Sequence, residues 1–190
     1  ADITNTVQSA ASELYKEIPA DYWEACKIDG KIYAVPTYKD SSATQYFVWD
    51  KELLDKYKLD VSKLHTLDSL TDALTTIKNG ENTAPFILAS DGLGALTGWY
   101  DRMGTGMPAI GVRYDDNNRK VVAVFEQEDV MNDLKTLNQW YKAGLINQDA
   151  ATLAEAPKYR ACFVAQGWSG AATTTWGPNM GKEAVAYQWG

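Results

Sequence analysis

The strongest constraint on the fold is an alternation of strand-like and helix-like segments along most of the chain. Four short apolar or β-rich runs are typical of strands: "TQYFVW", "PFILA", "ACFVA" and "AVAYQW". Three segments carry apolar residues at helical spacing: "KELLDKY", "TLDSLTDALTTIKNG" and "EDVMNDLKTLNQWYKAGL". Because strands that alternate with helices form a sheet covered by helices, the sequence predicts an α/β fold.

Turn and cap residues predict where several of these elements begin and end. Asp29-Gly30 suits a two-residue hairpin turn, and residues 32–35 read as a short buried strand that Pro36 stops. Asp50 is placed to cap the helix that follows it. Thr66 and Gly80 are the predicted cap and end signal of the next helix.

Composition and charge restrict the classes of partner. The 190 residues carry a net charge of −7, with a pI near 4.7, which disfavours nucleic acid and anionic membrane surfaces. No apolar run approaches the roughly 20 residues that a membrane span requires. Cys162 lies in an apolar stretch and reads as a buried hydrophobe, and the sequence leaves open whether it pairs with Cys26. Neutral or cationic small ligands are the easier partners.

Signals for catalysis are weak. His65 is the single histidine and belongs to no nucleophile or metal pattern, which disfavours a serine-hydrolase triad and a histidine-ligated zinc site. The segment "GLGAL" is a poor match to a dinucleotide fingerprint. Asp40, Asp91 and Asp101 follow apparent strands, where a glycosidase would place its carboxylates. An ordinary turn at Asp91-Gly92 and a surface charge pair at Asp101-Arg102 explain two of them equally well.

Aromatic residues give the clearest indication of binding. Seven tryptophans are present, and Trp49 and Trp140 lie in regular elements where packing explains them. Trp99, Trp168 and Trp176 instead stand beside glycines and short polar residues. Sugars are neutral ligands with apolar C–H faces and hydroxyl edges, so their sites combine flat rings with short polar side chains.

Three loops that follow apolar strands have this combination of residue types. They contain Trp99-Tyr100 near Asp91, Trp168 between Gln166 and Ser169, and Tyr38 near Asp40. Ligands of open α/β sheets bind at such strand ends, so the sequence predicts a sugar site there. A carbohydrate-active enzyme that uses loop carboxylates and a scaffold whose tryptophans are all core residues remain as alternatives.

The order of the segments resembles a known family. "GKIYAVP", "FVWDKELLDKYKLD", "TLDSLTDALTTIK", "FILASDG", "WYKAGLINQDA" and "AEAPKYRACFVAQGWSGA" follow one another as in the second lobe of bacterial extracellular solute-binding proteins of the sugar-binding class. These proteins are the receptor subunits of ABC importers. The likeness covers roughly residues 20–170, and Trp49-Asp50 stands where the family commonly has tyrosine and asparagine.

The resemblance implies a function and an architecture. It implies one lobe of a type II periplasmic-binding-protein-like fold over residues 1–190, a mixed sheet flanked by helices, with a lead-in helix and hinge-proximal hairpin in residues 1–36. It further implies a monomer without cofactor or catalysis that lacks the other lobe, a sugar or oligosaccharide ligand, an ABC permease partner, and a cell-surface lipoprotein anchored through a segment upstream of Ala1. The implied ligand-binding residues are Tyr38, Asp40, Ser41, Asp91, Trp99, Tyr100, Trp168 and Trp176.

Overall fold

The computed structural model describes residues 1–38, 44–104, 109–168 and 170–190. Its chain divides into two compact units, residues 1–42 and 43–190. The prediction of a single lobe over residues 1–190 stays a prediction.

The first unit is a small helical segment closed by a hairpin. A π-helical turn at Thr6–Ala10 is followed by α1 (Ser12–Glu17), α2 (Ala20–Ala25), β1 (Lys27–Ile28) and β2 (Lys31–Ile32). The predicted hairpin turn is confirmed, because Asp29 and Gly30 both have positive φ, of 51° and 76°, between the paired strands.

The predicted strand over residues 32–35 is wrong beyond its first residue. Ile32 is fully buried, and its backbone bonds to the start of the chain, where its N–H donates to Thr4 and its carbonyl accepts from Ile3. Tyr33 and Val35 are 44% and 46% exposed. β2 pairs only with the two-residue β1, so no ladder extends the strand past Ile32.

The second unit contains the main sheet and its helices. Its helices and strands are β3 (Thr44–Asp50), α3 (Lys51–Tyr57), α4 (Thr71–Glu81), β4 (Tyr100–Asp101), β5 (Ile110–Arg113), β6 (Val121–Ala123), α5 (Glu128–Lys142), β7 (Cys162–Gly167), α6 (Gly177–Met180) and β8 (Ala184–Gln188).

The main sheet is mixed. β3 lies between β7 and β8 and is antiparallel to both, whereas Phe86 forms parallel bridges to Cys162 and Ile146. The start of β3 therefore lies at the same sheet edge as the ends of β7 and β8. Strands β4, β5 and β6 form a separate antiparallel sheet.

Each face of β3 packs against its own hydrophobic cluster. Phe47 and Trp49, both fully buried, lie in the large cluster that contains residues of α3, α4 and α5. Val48 points to the opposite face and packs with Phe163, Trp176 and residues of α6. This alternation along the strand is what period-two side-chain geometry requires. Trp140 is also buried in the large cluster, which confirms the predicted packing role of Trp49 and Trp140.

Of the three predicted helix signals, one is confirmed and two have other roles. Asp50 caps α3 as predicted, because its Oδ1 accepts from the backbone N–H of Glu52 at 2.9 Å. Gly80, however, lies inside α4, where a Cβ would stand 2.0 Å from the hydroxyl oxygen of Tyr57. Gly80 is therefore a close-packing position, and the helix ends instead at Asn82, whose φ is 54°.

The start of α4 also differs from the prediction. A 3₁₀ turn at Asp68–Leu70 precedes the helix, and the side chain of Thr66 does not cap it. Thr66 instead exchanges bonds with the Ser69 hydroxyl through its backbone N–H and carbonyl.

Across the described residues, no helix has both the length and the apolar character needed to span a bilayer.

Candidate functional site

A cleft of about 740 Å³, which we call the polar cleft, lies where β7 ends and the segment Phe86–Ala89 runs into the following loop. Its floor and walls come from β3, β7, residues 86–102 and residues 154–160. The polar side chains that line it are those of Gln45, Asp91, Thr97, Arg102, Glu155, Arg160 and Gln166, and the aromatic ones are those of Phe86, Tyr100, Tyr114 and Phe163.

Two glutamines from neighbouring strands lie side by side in this cleft. Gln45 of β3 and Gln166 of β7 are direct cross-strand partners, so their side chains point to the same face of the sheet. Gln45 is only 8% exposed, and no described residue forms a hydrogen bond with its side-chain amide. The pair presents amide donors and acceptors to whatever occupies the cleft.

Gly98 makes room for the Gln45 amide. A Cβ at residue 98 would lie 2.5 Å from Nε2 of Gln45 and 3.0 Å from the carbonyl oxygen of Ala95. Real Cβ atoms do not approach heavy atoms as closely as 2.5 Å. The glycine-rich loop thus packs its backbone directly against the buried amide.

Arg160 and Asp91 bring opposite charges to the polar cleft. The Arg160 guanidinium lies over the Phe163 ring at 4.1 Å, and its Nε is buried without a hydrogen-bond partner among the described residues. Burial lowers the pKa of the Arg160 guanidinium, while the Asp91 carboxylate acts against this shift. Asp91 itself is exposed and precedes Gly92, whose φ of 69° confirms the predicted turn.

Asn147 positions the wall of the polar cleft. Its Oδ1 accepts from the N–H of Leu88 at 2.8 Å, and its Nδ2 donates to the carbonyl of Leu88 at 3.0 Å. The backbone N–H of Ser90 further donates to the carbonyl of Leu153. Asn147 was not predicted from the sequence, although its place directly after the apolar "AGLI" segment is typical of a residue that bonds to a strand end.

An exposed ring at the mouth of the polar cleft was also missed. Tyr114 follows β5 directly and is 70% exposed. Its N–H donates to the carbonyl of Trp99 at 3.0 Å, which fixes the backbone that carries the ring. A flat, exposed ring beside amides, carboxylates and a guanidinium can stack on the C–H face of a sugar while the polar groups bond its hydroxyls.

Trp99 and the hydroxyl of Tyr100 belong to the other side of the same loop. Trp99 is half-buried and lines a second cleft, which we call the acidic cleft because Asp68, Asp115, Asp129 and Asp133 also line it. Tyr100 is 5% exposed, its hydroxyl donates to Asp129 at 2.8 Å, and the Arg113 guanidinium lies over its ring at 5.8 Å from the centroid. Burial raises the pKa of the Tyr100 hydroxyl. The ring therefore ties the β4 strand to α5, and Tyr100 also contributes to the lining of the polar cleft.

The two later tryptophans lie in different surroundings. Trp168 is 49% exposed and follows the last residue of β7, at the sheet edge where Gln166 lies. Trp176 is 9% exposed and packs in the second hydrophobic cluster, with its ring centroid 5.6 Å from that of Tyr46. Gly167 accommodates the Trp176 ring, because a Cβ there would lie 2.8 Å from it.

The remaining predicted site residues lie outside the second unit or outside the described residues. Tyr38 belongs to the first unit, is 56% exposed and contacts Tyr22 edge to face at 5.6 Å between ring centroids. Asp40 and Ser41 lie outside the described residues.

His65 is exposed, and its Nδ1 lies 3.1 Å from the carbonyl oxygen of Gln188.

Comparison with known proteins connects this architecture to one class. No protein-family model matches the chain. A carbohydrate ABC transporter substrate-binding protein of Streptococcus pneumoniae is 30% identical over 153 residues, which are 80% of this chain and 31% of that protein. The chain thus spans about a third of the length of this curated relative.

Solved structures have the same fold. The N-glycan transport solute binding protein NgtS of Streptococcus pneumoniae superimposes with a TM-score of 0.76 at 23% identity, covering 100% of this chain and 43% of that one. A sugar transporter protein of Bacillus licheniformis in complex with stachyose gives a TM-score of 0.50 at 25% identity, over 95% of this chain and 45% of that one. The predicted α/β fold of the type II periplasmic-binding-protein-like kind is confirmed. In sequence and in fold, the chain is similar to part of the carbohydrate ABC transporter substrate-binding proteins, as the order of its segments indicated.

Proposed function

We propose that this chain forms part of the ligand-binding surface of an ABC importer receptor and holds a neutral sugar or oligosaccharide in the polar cleft. The observation that carries the proposal is the cross-strand pair Gln45 and Gln166, open to a cleft that Arg160 and Asp91 also line. Planar amides, carboxylates and guanidinium groups are the side chains that bond adjacent hydroxyl pairs.

The cleft matches a neutral ligand better than a charged one. Its single exposed ring, Tyr114, offers a stacking surface. The formal charges of its lining sum to zero, because Arg102 and Arg160 are balanced by Asp91 and Glu155. Trp168, exposed at the same sheet edge, is the second ring we assign to the ligand. We leave Trp176 out of the site because its ring is packed in the second hydrophobic cluster.

The relatives support the wider role. The curated relative is described as a carbohydrate ABC transporter substrate-binding protein, and solved neighbours were crystallised with Man5GlcNAc, with Man1GlcNAc and with stachyose. By analogy, the whole protein is an extracellular, membrane-anchored monomeric receptor that delivers its ligand to permease subunits. Its cleft is completed by another lobe, and the family resemblance also assigns Tyr38, Asp40 and Ser41 to ligand binding.

Catalysis is not part of the proposal. The relatives are transport-associated binding proteins, whereas a glycosidase needs two carboxylates placed about a scissile bond. The carbohydrate-active enzyme considered from the sequence would use Asp40 and Asp91, of which only Asp91 is described, as an exposed residue of an ordinary turn.

Titration calorimetry against an oligosaccharide panel tests the proposal. The panel contains Man1GlcNAc, Man5GlcNAc, stachyose and maltose, and each mixture is analysed afterwards for hydrolysis products. We expect heat from at least one neutral oligosaccharide and no product. Absence of binding to every member at millimolar concentration, or turnover of any of them, would contradict the proposal.

A matched pair of variants assigns the binding to the polar cleft. Gln166→Ala removes about one or two hydrogen bonds, worth roughly 0.5–1.5 kcal/mol each, so affinity should fall about tenfold. Gln139→Ala removes the same side chain from an exposed position on α5, outside both clefts, and should leave affinity unchanged. Equal effects of the two substitutions would move the ligand away from this cleft.

A further inference from the structure

The acidic cleft is a second recess of the larger unit, with a volume of about 770 Å³. Its apolar wall comes from Leu96, Trp99 and Trp189. Trp189 is held by a stacked contact with Phe47, with ring centroids 5.1 Å apart, and Gly190 packs against the Trp99 ring. The wall is therefore built from rings whose positions are set by the core.

Four carboxylates, those of Asp68, Asp115, Asp129 and Asp133, also line the cleft, together with Arg113 and the polar side chains of Thr66, Asn132 and Thr136. Arg113 contacts two of them, Asp115 at 2.7 Å and Asp129, so its charge is already used. Asp68 and Asp133 also line the cleft, and among the described residues neither carboxylate has an ion pair or a side-chain hydrogen bond. The cleft thus has two carboxylates without a cation.

A hydroxyl on α5 is a second, independent binding group in the cleft. Thr136 is 9% exposed and lines the cleft, one helical turn beyond Asp133 on the same face. Among the described residues its hydroxyl makes no hydrogen bond, so it is free to bond to a ligand in the cleft. An amine that enters the cleft would satisfy Thr136 and the free carboxylates together.

We propose that the acidic cleft binds a small organic cation, a protonated amine on an apolar body. The ammonium group lies between Asp68, Asp133 and the Thr136 hydroxyl, and the apolar body lies against Trp99. A metal ion fits less well, because no three His, Cys, Asp or Glu side chains of the described residues converge into a metal-binding group. Aromatic rings beside free carboxylates are the usual surroundings of organic cations.

The charge balance around Asp133 gives the site a pH dependence. Burial, with help from the charges of Asp129 and Asp68, raises the pKa of Asp133 to about 6. The other charged groups that face the cleft are Arg113 and Asp115. A bound ammonium favours the ionised carboxylate, so affinity should rise as the pH rises through 6.

Titration calorimetry with 2-phenylethylamine, and with 2-phenylethanol as its neutral isostere, tests this site. At pH 7.5 we expect the amine to bind at least tenfold more tightly than the alcohol, and about fivefold more tightly than it does at pH 5. Equal affinities for the two probes, or no binding of the amine at 10 mM, would overturn the proposal.

Three substitutions locate the cation. Asp133→Asn and Asp68→Asn should each weaken amine binding about fivefold or more. Asp68 is exposed, so Asp68→Asn still tests the proposal if Asp133→Asn does not fold. Asp72→Asn removes the same charge from an exposed position of α4 outside the cleft and should change nothing. Equal binding in Asp68→Asn and the unmodified chain would also refute the assignment. Oligosaccharide binding is measured separately, so the two proposals fail independently.

Discussion

The close approach of Gly98 to the Gln45 amide makes Gly98→Ala the sharpest test of how the polar cleft is built. The substituted Cβ would lie 2.5 Å from Nε2 of Gln45, whereas ordinary van der Waals contact begins at 3.4 Å. The amide must therefore retreat by about 0.9 Å, the difference between these two distances. The amide ends a flexible side chain that lines the polar cleft, so it can move, whereas the Ala95 carbonyl oxygen, 3.0 Å from the same Cβ, belongs to the backbone and yields less easily.

The size of the effect follows from two opposing contributions. Overpacking a tight site costs about 1–3 kcal/mol, which includes about 0.5–1.5 kcal/mol for an amide forced off its rotamer. The backbone at Gly98 has φ −67° and ψ −19°, which alanine adopts without strain, so the unfolded-state effect offsets about 0.4–1 kcal/mol. We expect Gly98→Ala to lower the free energy of unfolding by about 1–2 kcal/mol.

Urea denaturation followed by tryptophan fluorescence measures this change. Gly94→Ala is the matched control, since Gly94 belongs to the same loop and a Cβ there meets no heavy atom within 4 Å. Its expected change lies between no effect and a small stabilisation. In a Gln45→Ala background the Gly98→Ala penalty should shrink, because the clashing amide is gone. If both alanines cost the same, or if removing Gln45 leaves the penalty unchanged, the packing argument is wrong.

Two further predictions concern the carboxylates of the buried Asp50 and the partly buried Asp133. Asp50 caps α3 and accepts from the Tyr159 hydroxyl at 2.8 Å, so Asp50→Ala should cost about 2–4 kcal/mol in urea denaturation, more than Tyr159→Phe at about 1–2 kcal/mol. The pKa of Asp133 is raised to about 6, against 3.8 in the unfolded chain, so the contribution of Asp133 to stability is full below pH 4 and is lost as the pH rises through 6. After allowance for partial exposure this amounts to about 1–2 kcal/mol, and Asp133→Asn should abolish that part of the pH dependence.

The order and type of most elements could be read from the sequence because they depend on local patterns, but the predicted strand "PFILA" is wrong, since only isolated bridges form there, at Phe86. The cap at Asp50 and the turn at Asp29-Gly30 each follow from chemistry within a few residues. Gly80 shows where such reasoning fails. A glycine near a helix end suits both termination and close packing, and only the position of the Tyr57 ring, 23 residues earlier in the chain, decides between them.

The candidate site was harder to predict, because its residues come from segments far apart in the chain. Gln45 did leave a signal. It is two and four residues before Phe47 and Trp49, so all three side chains lie on one face of β3, and a polar residue on an apolar face needs a partner. Tyr114 left none, because exposed tyrosines are common beside turns. Trp176 had the expected neighbours in sequence, but Gly167 opens a space for its ring inside the second hydrophobic cluster.

The loop that carries Asp91 and Trp99 explains why sequence reasoning joined two clefts into one site. Leu96 and Thr97 are adjacent in a 3₁₀ turn, yet Leu96 lines the acidic cleft and Thr97 lines the polar cleft. Successive side chains of a 3₁₀ turn point about 120° apart, so a single short turn serves as a wall with two sides. Tyr114 lines both clefts, and its N–H bonds to the backbone of Trp99. Asp91 and Trp99 are close in sequence, but the turn between them directs the two residues to different clefts.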